Sequence, residues 1–396
     1  MQPNPYTPGQ VPRVLVGRSV ELGRIRDRVS RVATFGELGG PLLVFHAPRG
    51  LGKTSLLRTA QRDAAAVGFV SAWVACSRER PFLPELVRAV ERALTRAEVI
   101  PPGDAGLRWR ARLERISLEL GVPGAKVRAD LGRRGQTAHD SAADPTAGAA
   151  PIAALEDLLH DAAVAIRDRG GAGLLVFLDE LHAASADDLA TLLNGLQNLD
   201  GEREENPLAV VTAGLPVTPE ALTRAATFGE RSSFVPLDLL SDADARTALA
   251  APAESLGVAW TDEALDRVVG EAHGHPYVLQ LVGSATWEAA RPSEGDVIDL
   301  AAVTAGVPAA EEQLSAMYRA RWGAATDGER AFLTAMAAAD TDNVTRAQIA
   351  HRLGVDTRSI SVPRERLIEK GVIEPVGHGL VRFTLPGFGS YVRGRT

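Results

Sequence analysis

The stretch LLVFHAPRGLGKTSLL, from Leu42 to Leu57, places the strongest constraint on how this chain can fold. It runs from a continuous apolar segment through a loop of small residues into a helix-like pattern. A short apolar run of this kind is typical of a parallel strand that is buried on both faces. A strand that leads through glycines straight into a helix therefore predicts an α/β unit whose sheet is covered by helices.

The loop fits a phosphate-binding template, in which a glycine and four further residues precede Gly-Lys-[Ser/Thr]. Gly52, Lys53 and Thr54 match the second half of it, whereas Ala47 stands where the first glycine belongs. Glycines let backbone N–H groups turn inward and approach phosphate oxygens closely. The predicted phosphate loop, with its nucleotide contacts, comprises Ala47, Pro48, Arg49, Gly50, Leu51, Gly52, Lys53, Thr54 and Ser55.

Two side chains of this loop have separate predicted roles. The Lys53 ammonium can reach the β- and γ-phosphates, and the Thr54 hydroxyl can occupy one position on Mg²⁺. The helix that follows points its N-terminus at the anion. The alternative interpretation is a Gly-rich turn that carries an exposed lysine.

A second apolar run, LLVFLDE, ends in the adjacent carboxylates Asp179 and Glu180. Ligands of open parallel sheets bind at the carboxyl ends of the strands, where these two acids would lie. We expect Asp179 to hold Mg²⁺, mostly through water, and Glu180 to orient and polarise the attacking water. The alternative is a pair of solvated acids that open a turn.

Strands alternate with helical patterns up to residue 236, which predicts a doubly wound parallel α/β sheet. The apolar runs PLLVFHA, FVSAWVAC, GLLVFLDE and LAVVTAG are the predicted strands, and from Leu237 onward the strand signals stop until the chain's last part. We predict a flexible N-terminal segment (residues 1–13), a sheet domain (14–236) with a partly disordered insertion (101–151), a helical lid (237–317) and a C-terminal module (318–396).

The C-terminal module reads as three helices followed by a β-hairpin. The helical patterns are GERAFLTAMAA, TRAQIAHRLG and RSISVPRERLIEKG, and the hairpin is IEPVGHGLVRFTL. This order predicts a winged helix. Pro363 falls inside the third pattern and is expected to interrupt that helix.

Composition narrows the functional class. The net charge of −7 argues against a protein whose whole surface coats nucleic acid, although a local basic patch is compatible with it. Cys76 is the single cysteine, which excludes an intrachain disulfide and a cysteine-rich metal site. The sequence has no signal-peptide pattern and no apolar run long enough for a membrane span, so we expect a cytoplasmic protein without a membrane partner.

The segments APRGLGKTS and VFLDE together resemble the AAA-type P-loop ATPases. VGRSVEL, from Val16 to Leu22, resembles the box near adenine in origin-recognition-like and archaeal-type members, to which the STAND signalling ATPases are related. HGHPYVLQLVG resembles the Gly-x-Pro element of their helical lid, here Gly274, His275 and Pro276. The resemblance covers most of the chain outside 101–151 and the extreme N-terminus.

This resemblance implies further site residues. Val16, Gly17 and Arg18 would flank adenine, and Thr212 would sense the γ-phosphate, the alternative being a strand-end threonine with a structural role. His275 would lie near the β-phosphate. Arg231, or else Arg224, would reach the nucleotide of a neighbouring subunit in a homo-oligomer, the alternative being a surface arginine.

The C-terminal module is locally basic within an acidic chain. Arg358, Arg364 and Arg366 fall in or beside the third helix, and Arg382 falls on the hairpin, where a winged helix would face DNA. Glu365 and Glu369 would face phosphates poorly, and winged helices also serve as protein docking modules.

Three hypotheses follow from the sequence. The first is a Mg²⁺-dependent ATPase that binds ATP and ADP and acts as a slow conformational switch on a protein partner or a self-assembly. The second is a DNA-binding regulator or loader whose ATP state controls the winged helix. The third is a scaffold that holds the nucleotide without hydrolysing it.

Overall fold

The sheet domain is built on a parallel sheet, as predicted. The computed structural model describes residues 1–100, 104–120, 149–339, 341–377 and 379–395, and within them the strands are β1 (Leu43–His46), β2 (Phe69–Ala75), β3 (Gly173–Asp179), β4 (Leu208–Gly214) and β5 (Ser233–Pro236). Their order across the sheet is β2-β3-β4-β1-β5. Only β4 separates β1 from β3, so the phosphate loop and Asp179 leave the same edge of the sheet as near neighbours.

Helices cover both faces of this sheet. The first face carries α1 (Ser19–Phe35) and α2 (Lys53–Ala66), and the second carries α3 (Phe82–Arg96), α4 (Asp104–Glu119), α5 (Ala149–Asp168), α6 (Ala186–Gly201) and α7 (Thr218–Ala225). Successive side chains of a strand point to opposite faces. Phe45 accordingly packs in the core on the first face and Val44 in the core on the second, which explains why the strands read as continuous apolar runs.

The insertion predicted for residues 101–151 is described only in part. Its helical pattern forms α4, whose Leu113 and Ile116 are buried in the core on the second face of the sheet. The predicted disorder concerns mainly residues 101–103 and 121–148, which lie outside the described residues.

The helical lid contains three helices, α8 (Asp242–Glu254), α9 (Asp262–Ala272) and α10 (Pro276–Ala290), and leads into the connecting helix α11 (Leu300–Gly323). Ser241, Thr261 and Asp299 cap three of these helices, since each side chain accepts a hydrogen bond from a backbone N–H of the first turn. The expectation that strand signals stop at Leu237 is wrong. Two short strands, β6 (Ala259–Trp260) and β7 (Val297–Ile298), pair in parallel inside the lid region, too short to give a periodic pattern.

The N-terminal segment, predicted to be flexible over residues 1–13, contacts the lid in the structure. Tyr6 is buried against the lid, where its hydroxyl donates a 2.6 Å hydrogen bond to Leu249 O and accepts a 2.9 Å bond from Trp260 Nε1. Asn4 Nδ2 donates to Ser284 Oγ at 3.0 Å. A single buried aromatic residue with paired polar atoms fixes this segment, although its sequence has no helical or strand pattern.

The C-terminal module combines small helices with a three-stranded sheet. In chain order its elements are α12 (Asp327–Ala337), β8 (Val344–Thr345), α13 (Arg346–Leu353), α14 (Ser361–Glu369), β9 (Ile373–Gly377), β10 (Leu380–Phe383) and α15 (Phe388–Arg393). The strands are ordered β8-β10-β9. Capping boxes at Thr326 and Thr345 define where α12 and α13 begin.

Pro363 does not interrupt the third helix, contrary to expectation. The helix begins at Ser361, so Pro363 lies in its first turn, where its missing N–H is not needed for the helical hydrogen bonds. Arg358 consequently precedes the helix, whereas Arg364 and Arg366 lie on it.

The C-terminal module packs against the sheet domain next to the phosphate loop. A β-carbon at Gly371 would lie 3.5 Å from Leu215 Cδ1 and 3.7 Å from Arg49 Cδ. Arg78 Nη2 lies 3.9 Å from Glu369 Oε2 across the same boundary. Among the helices of the described ranges, none is long and apolar enough to cross a membrane.

Candidate nucleotide site

The phosphate loop connects β1 to α2 with the geometry that the template requires. Gly50 and Gly52 adopt φ values of +87° and +85°, a left-handed backbone that side chains disfavour. The Lys53 ammonium turns back into the loop and donates to Ala47 O at 2.9 Å and Pro48 O at 2.8 Å. Burial lowers the pKa of Lys53 to about 8, an effect that Glu180 and Asp179 oppose and Arg49 reinforces.

Thr54 and Asp179 meet at the centre of the site. The Thr54 hydroxyl donates a 2.7 Å hydrogen bond to Asp179 Oδ2, and the backbone N–H of Glu180 donates to Oδ1 at 2.9 Å. Burial raises the pKa of Asp179, and these two hydrogen bonds oppose that rise. The two predicted Mg²⁺ ligands, far apart in the sequence, are therefore adjacent in space.

Glu180 projects its carboxylate beside the loop from a left-handed backbone position, with φ of 54°. Its Oε2 lies 4.0 Å from Arg49 Nη2 and 3.5 Å from His182 Nε2. The side chain is 35% exposed, so solvent reaches the carboxylate. This position suits a group that contacts an attacking water.

A cavity of about 610 Å³ opens beside the loop, a size typical of small-ligand sites. The phosphate loop forms its floor, and the lid contributes Leu240, Pro276, Tyr277 and Gln280. The N-terminal segment forms another part of the wall through Thr7, Gly9, Gln10, Val11 and Pro12. Sequence reasoning missed these wall residues because the segment gives no periodic signal.

The predicted adenine box lies at this cavity, but its arginine has a different role. Val16 and Arg18 line the cavity, and Gly17 packs against Leu240 and Asp244 of the lid. The Arg18 side chain is buried and donates to the backbone oxygens of Leu51 at 3.2 Å and Asp238 at 2.7 Å. Arg18 thus holds the chain segments around the cavity together.

Thr212, predicted by resemblance to sense the γ-phosphate, has the surroundings expected of the alternative, a strand threonine with a structural role. It is fully buried inside β4, and its hydroxyl donates to Leu43 O at 3.3 Å on the neighbouring strand. The strand continues to Gly214, and Leu215 is the first residue after it. The Leu215 N–H donates to His182 Nδ1 at 3.3 Å, a contact that sequence reasoning missed.

His275 lies behind the phosphate loop, and only its neighbours Pro276 and Tyr277 line the cavity. A β-carbon at Gly50 would lie 2.5 Å from His275 Cε1. Burial, reinforced by Arg321 and opposed by the backbone of Arg49, lowers the pKa of His275 to about 4, so the ring is neutral. The β-phosphate contact of His275 stays a prediction. In the same segment, the Tyr277 N–H donates to Gly50 O at 3.2 Å.

The remaining predicted site residues are arginines whose side chains differ in solvent exposure. Arg231 is exposed just before β5, with its guanidinium 5.6 Å from the Phe228 ring centroid. Arg358 and Arg366 are exposed. Arg364 is half-buried, and Arg382 bonds to Glu374 in a second cavity between the lid and the C-terminal module. The four predicted DNA contacts thus do not form one exposed face here.

Comparison with protein-family models identifies the domain around this site. A model described as an AAA ATPase domain matches residues 14–211, half of the chain. The chain belongs to the AAA ATPase domain family. A second model, described only as a domain of unknown function (DUF8462), matches residues 315–392 of this AAA ATPase. No curated protein matches this chain.

Solved structures similar to this AAA ATPase include the Walker-type ATPase PABY2304 of Pyrococcus abyssi. That chain is 13% identical, with 96% of each chain covered and a TM-score of 0.59, which supports the fold. Cdc6p from Pyrobaculum aerophilum is 14% identical, covering 98% of this chain and 96% of the other, with a TM-score of 0.47. The Aeropyrum pernix ORC1 protein in complex with DNA is 16% identical, covering 98% and 94%, with a TM-score of 0.45.

The residues of this AAA ATPase fit Mg²⁺ together with a nucleotide. A hydroxyl and a carboxylate, on Thr54 and Asp179, are the oxygen donors that Mg²⁺ takes from such proteins, while water and phosphate oxygens fill its other positions. Within the described ranges, no group of three or more His, Cys, Asp or Glu side chains could hold a metal by itself.

Proposed function

We propose that this chain is a Mg²⁺-dependent ATPase that acts as a nucleotide-driven conformational switch for a protein partner or a self-assembly. The observation that carries the proposal is the 2.7 Å hydrogen bond between Thr54 and Asp179 beside the buried Lys53 ammonium. Thr54 and Asp179 would hold Mg²⁺, which would supply charge neutralisation for the phosphates when bound. Lys53 would bind the β- and γ-phosphates, and Glu180 would orient the attacking water.

The switch role is supported by the contacts that three other parts of the chain make at the phosphate loop and its cavity. The lid reaches it through Tyr277 N–H and Gly50 O, the N-terminal segment closes the cavity wall, and Gly371 of the C-terminal module lies against Arg49. A change in the loop on nucleotide binding would alter contacts with each of them. Ligand-driven movement of such packed units requires different contacts in the two states, which this arrangement offers.

Calorimetry and turnover measurements on matched variants test the ATPase. Mg²⁺-ATP should bind the parent, and Lys53→Ala should remove that binding. Glu180→Gln should keep the binding and lower kcat at least about 100-fold, because a water-orienting carboxylate contributes on this scale. Glu204→Gln, an exposed acid next to the opposite end of β4, should match the parent.

Three outcomes would contradict this assignment. Equal binding heats for the parent and Lys53→Ala would exclude the loop as the phosphate site. Unchanged turnover in Glu180→Gln would exclude the acid as the water-orienting group. Binding without turnover in the parent would instead support the scaffold that holds nucleotide.

The finer family placement is part of the proposal. VGRSVEL and the Gly-His-Pro element favour the origin-recognition-like, STAND-related group, and both segments lie at the cavity in the structure. The order of α12, β8, α13, α14, β9 and β10 supports a winged helix in the C-terminal module.

We further propose a homo-oligomer in which the exposed Arg231 reaches a neighbouring nucleotide. Identical monomer profiles on sizing with ADP and with a non-hydrolysable ATP analogue would contradict it.

DNA binding through the C-terminal module is the second candidate function. It is favoured by the exposed guanidinium groups of Arg358, just before α14, and of Arg366, in its last turn. Against a single DNA face stands Arg364, which is half-buried near Glu220 of the sheet domain. Only a DNA-binding form that also uses Arg364 would require the C-terminal module to leave the sheet domain.

A further inference from the structure

His182 links the acid after β3 to the end of β4. It lies in a short 3₁₀ turn (Leu181–Ala183) that directly follows Glu180, and its side chain is 4% exposed. One ring nitrogen, Nδ1, accepts the backbone N–H of Leu215 at 3.3 Å. The other, Nε2, lies 3.5 Å from Glu180 Oε2.

These contacts fix which ring nitrogen carries the proton. A neutral imidazole has one donor and one acceptor nitrogen. Since Nδ1 accepts from Leu215, the hydrogen of the neutral ring is on Nε2, the nitrogen that lies 3.5 Å from Glu180 Oε2. Burial, reinforced by Lys53, Arg49 and Arg78 and opposed by Asp179, lowers the pKa of His182 to about 4, which keeps the ring neutral.

Glu180 needs such a partner because little else in the described residues restrains its carboxylate. Its left-handed backbone directs the side chain away from the strand, and the nearest other partner is Arg49 at 4.0 Å, whose own side chain is 57% exposed. His182 is the rigid neighbour, since its ring is buried and bonded to the main chain. Catalytic hydrogen bonds are often long in the free enzyme and shorten when substrate binds.

We propose that His182 is a positioning residue for Glu180: the Leu215 N–H orients the imidazole, and Nε2–H sets the direction in which the carboxylate meets the attacking water. His182 touches neither nucleotide nor metal in this role. The inference rests on the proposed ATPase function, because it assigns the support of the water-orienting acid.

Two substitutions at this position separate positioning from structural support. His182→Leu fills the same space without a donor, and we expect kcat to fall about tenfold to 100-fold while KM and nucleotide affinity stay within twofold. His182→Gln can accept from Leu215 and donate to Glu180, and it should recover most of the loss. His160→Leu is the control, since that histidine, bonded to Asn206, lies elsewhere in the sheet domain.

The outcomes distinguish this inference from the proposed function. A parent that turns over ATP together with a His182→Leu variant of equal or higher kcat would overturn the positioning role and leave the ATPase intact. Equal losses in His182→Leu and His182→Gln, or a matching loss of nucleotide affinity, would show a structural role and also overturn it.

A spectroscopic measurement tests the inference without turnover. In protein labelled with ¹⁵N-histidine, the His182 resonances should show the hydrogen on Nε2, and Glu180→Gln should shift the Nε2 signal more than the Nδ1 signal. A proton on Nδ1, or a spectrum that Glu180→Gln leaves unchanged, would overturn the proposal even if the parent proved inactive.

Discussion

Gly50 lies directly against the imidazole of His275, so that a β-carbon at position 50 would be 2.5 Å from Cε1. The contact joins the phosphate loop to the lid. Position 50 therefore requires glycine for two reasons: its backbone φ is +87°, and a β-carbon would overlap the His275 ring.

We predict that Gly50→Ala destabilises the nucleotide-free protein more than Gly52→Ala does. Both alanines pay about 1–2 kcal/mol for a left-handed backbone. At Gly52 no atom lies within 4 Å of the added carbon, whereas at Gly50 the overlap with His275 adds about 1–3 kcal/mol. Urea denaturation of both variants measures the difference. Equal midpoints would mean that His275 moves aside at no cost.

Releasing the N-terminal segment should speed nucleotide dissociation. Tyr6→Phe removes the hydroxyl that joins Leu249 O to Trp260 Nε1, and it leaves the Trp260 N–H without its acceptor at a cost of about 1–3 kcal/mol. Stopped-flow release of a fluorescent ADP should be faster in this variant. Tyr318→Phe is the matched control, because Tyr318 OH makes a 2.6 Å bond to Pro386 O away from the segment. Unchanged release in Tyr6→Phe would show that the wall is not held by Tyr6.

Glu329 should give the C-terminal module a pH-dependent stability. Burial raises the pKa of Glu329, but hydrogen bonds from Lys370 and from Thr326 N–H outweigh that effect and lower it below the ordinary value. A lowered carboxyl pKa stabilises the folded state above the ordinary pKa, near 4.5, and this contribution disappears as the pH falls through the folded value.

Glu329→Gln should therefore lose about 1–2 kcal/mol at pH 7, because a hydrogen bond to a charged group becomes one to a neutral group. Its difference from the parent should shrink in acid. Asp327→Asn is the control, since the Asp327 side chain is 100% exposed in the same first turn. Urea denaturation at several pH values measures both, and a loss in Glu329→Gln independent of pH would contradict the charge argument.

If the C-terminal module binds DNA, Arg358 and Arg366 should carry the electrostatic part. Removing either guanidinium should weaken binding by a similar factor on different sequences and reduce the salt slope by about 1. Arg364→Ala should change the slope less, since that side chain is half-buried against the sheet domain. Fluorescence anisotropy of a labelled duplex over a salt series measures this. No binding at low salt would remove the DNA candidate.

The sequence predicts the sheet domain well because its strands are buried on both faces. Leu43 and Val44 face different cores, so both must be apolar, and this gives a signal that survives without tertiary information. The proximity of Thr54 and Asp179 could be predicted, since Asp179 ends β3 and Thr54 follows the loop after β1, and both strands end at the same edge of one sheet.

What the sequence could not predict depends on contacts between distant segments. Tyr6 is buried by residues more than 240 positions away, and nothing in its local pattern indicates this. Thr212 is predicted at the strand end, whereas two further residues of β4 follow it and place it inside the sheet. The sequence predicts Arg364 as a free cation on a basic helix, whereas in the structure its side chain is half-buried near Glu220 of the sheet domain.

The buried guanidinium of Arg18 affects how weak nucleotide binding in Arg18 variants should be interpreted. It binds main-chain oxygens from the phosphate loop and from the link to the lid, at Leu51 and Asp238, in addition to that of Gly17. A lysine there has a single nitrogen and would leave at least one of these carbonyls without its donor. Weak nucleotide binding in an Arg18 variant would thus report a distorted pocket, and such a phenotype should not be taken as proof that arginine touches the base.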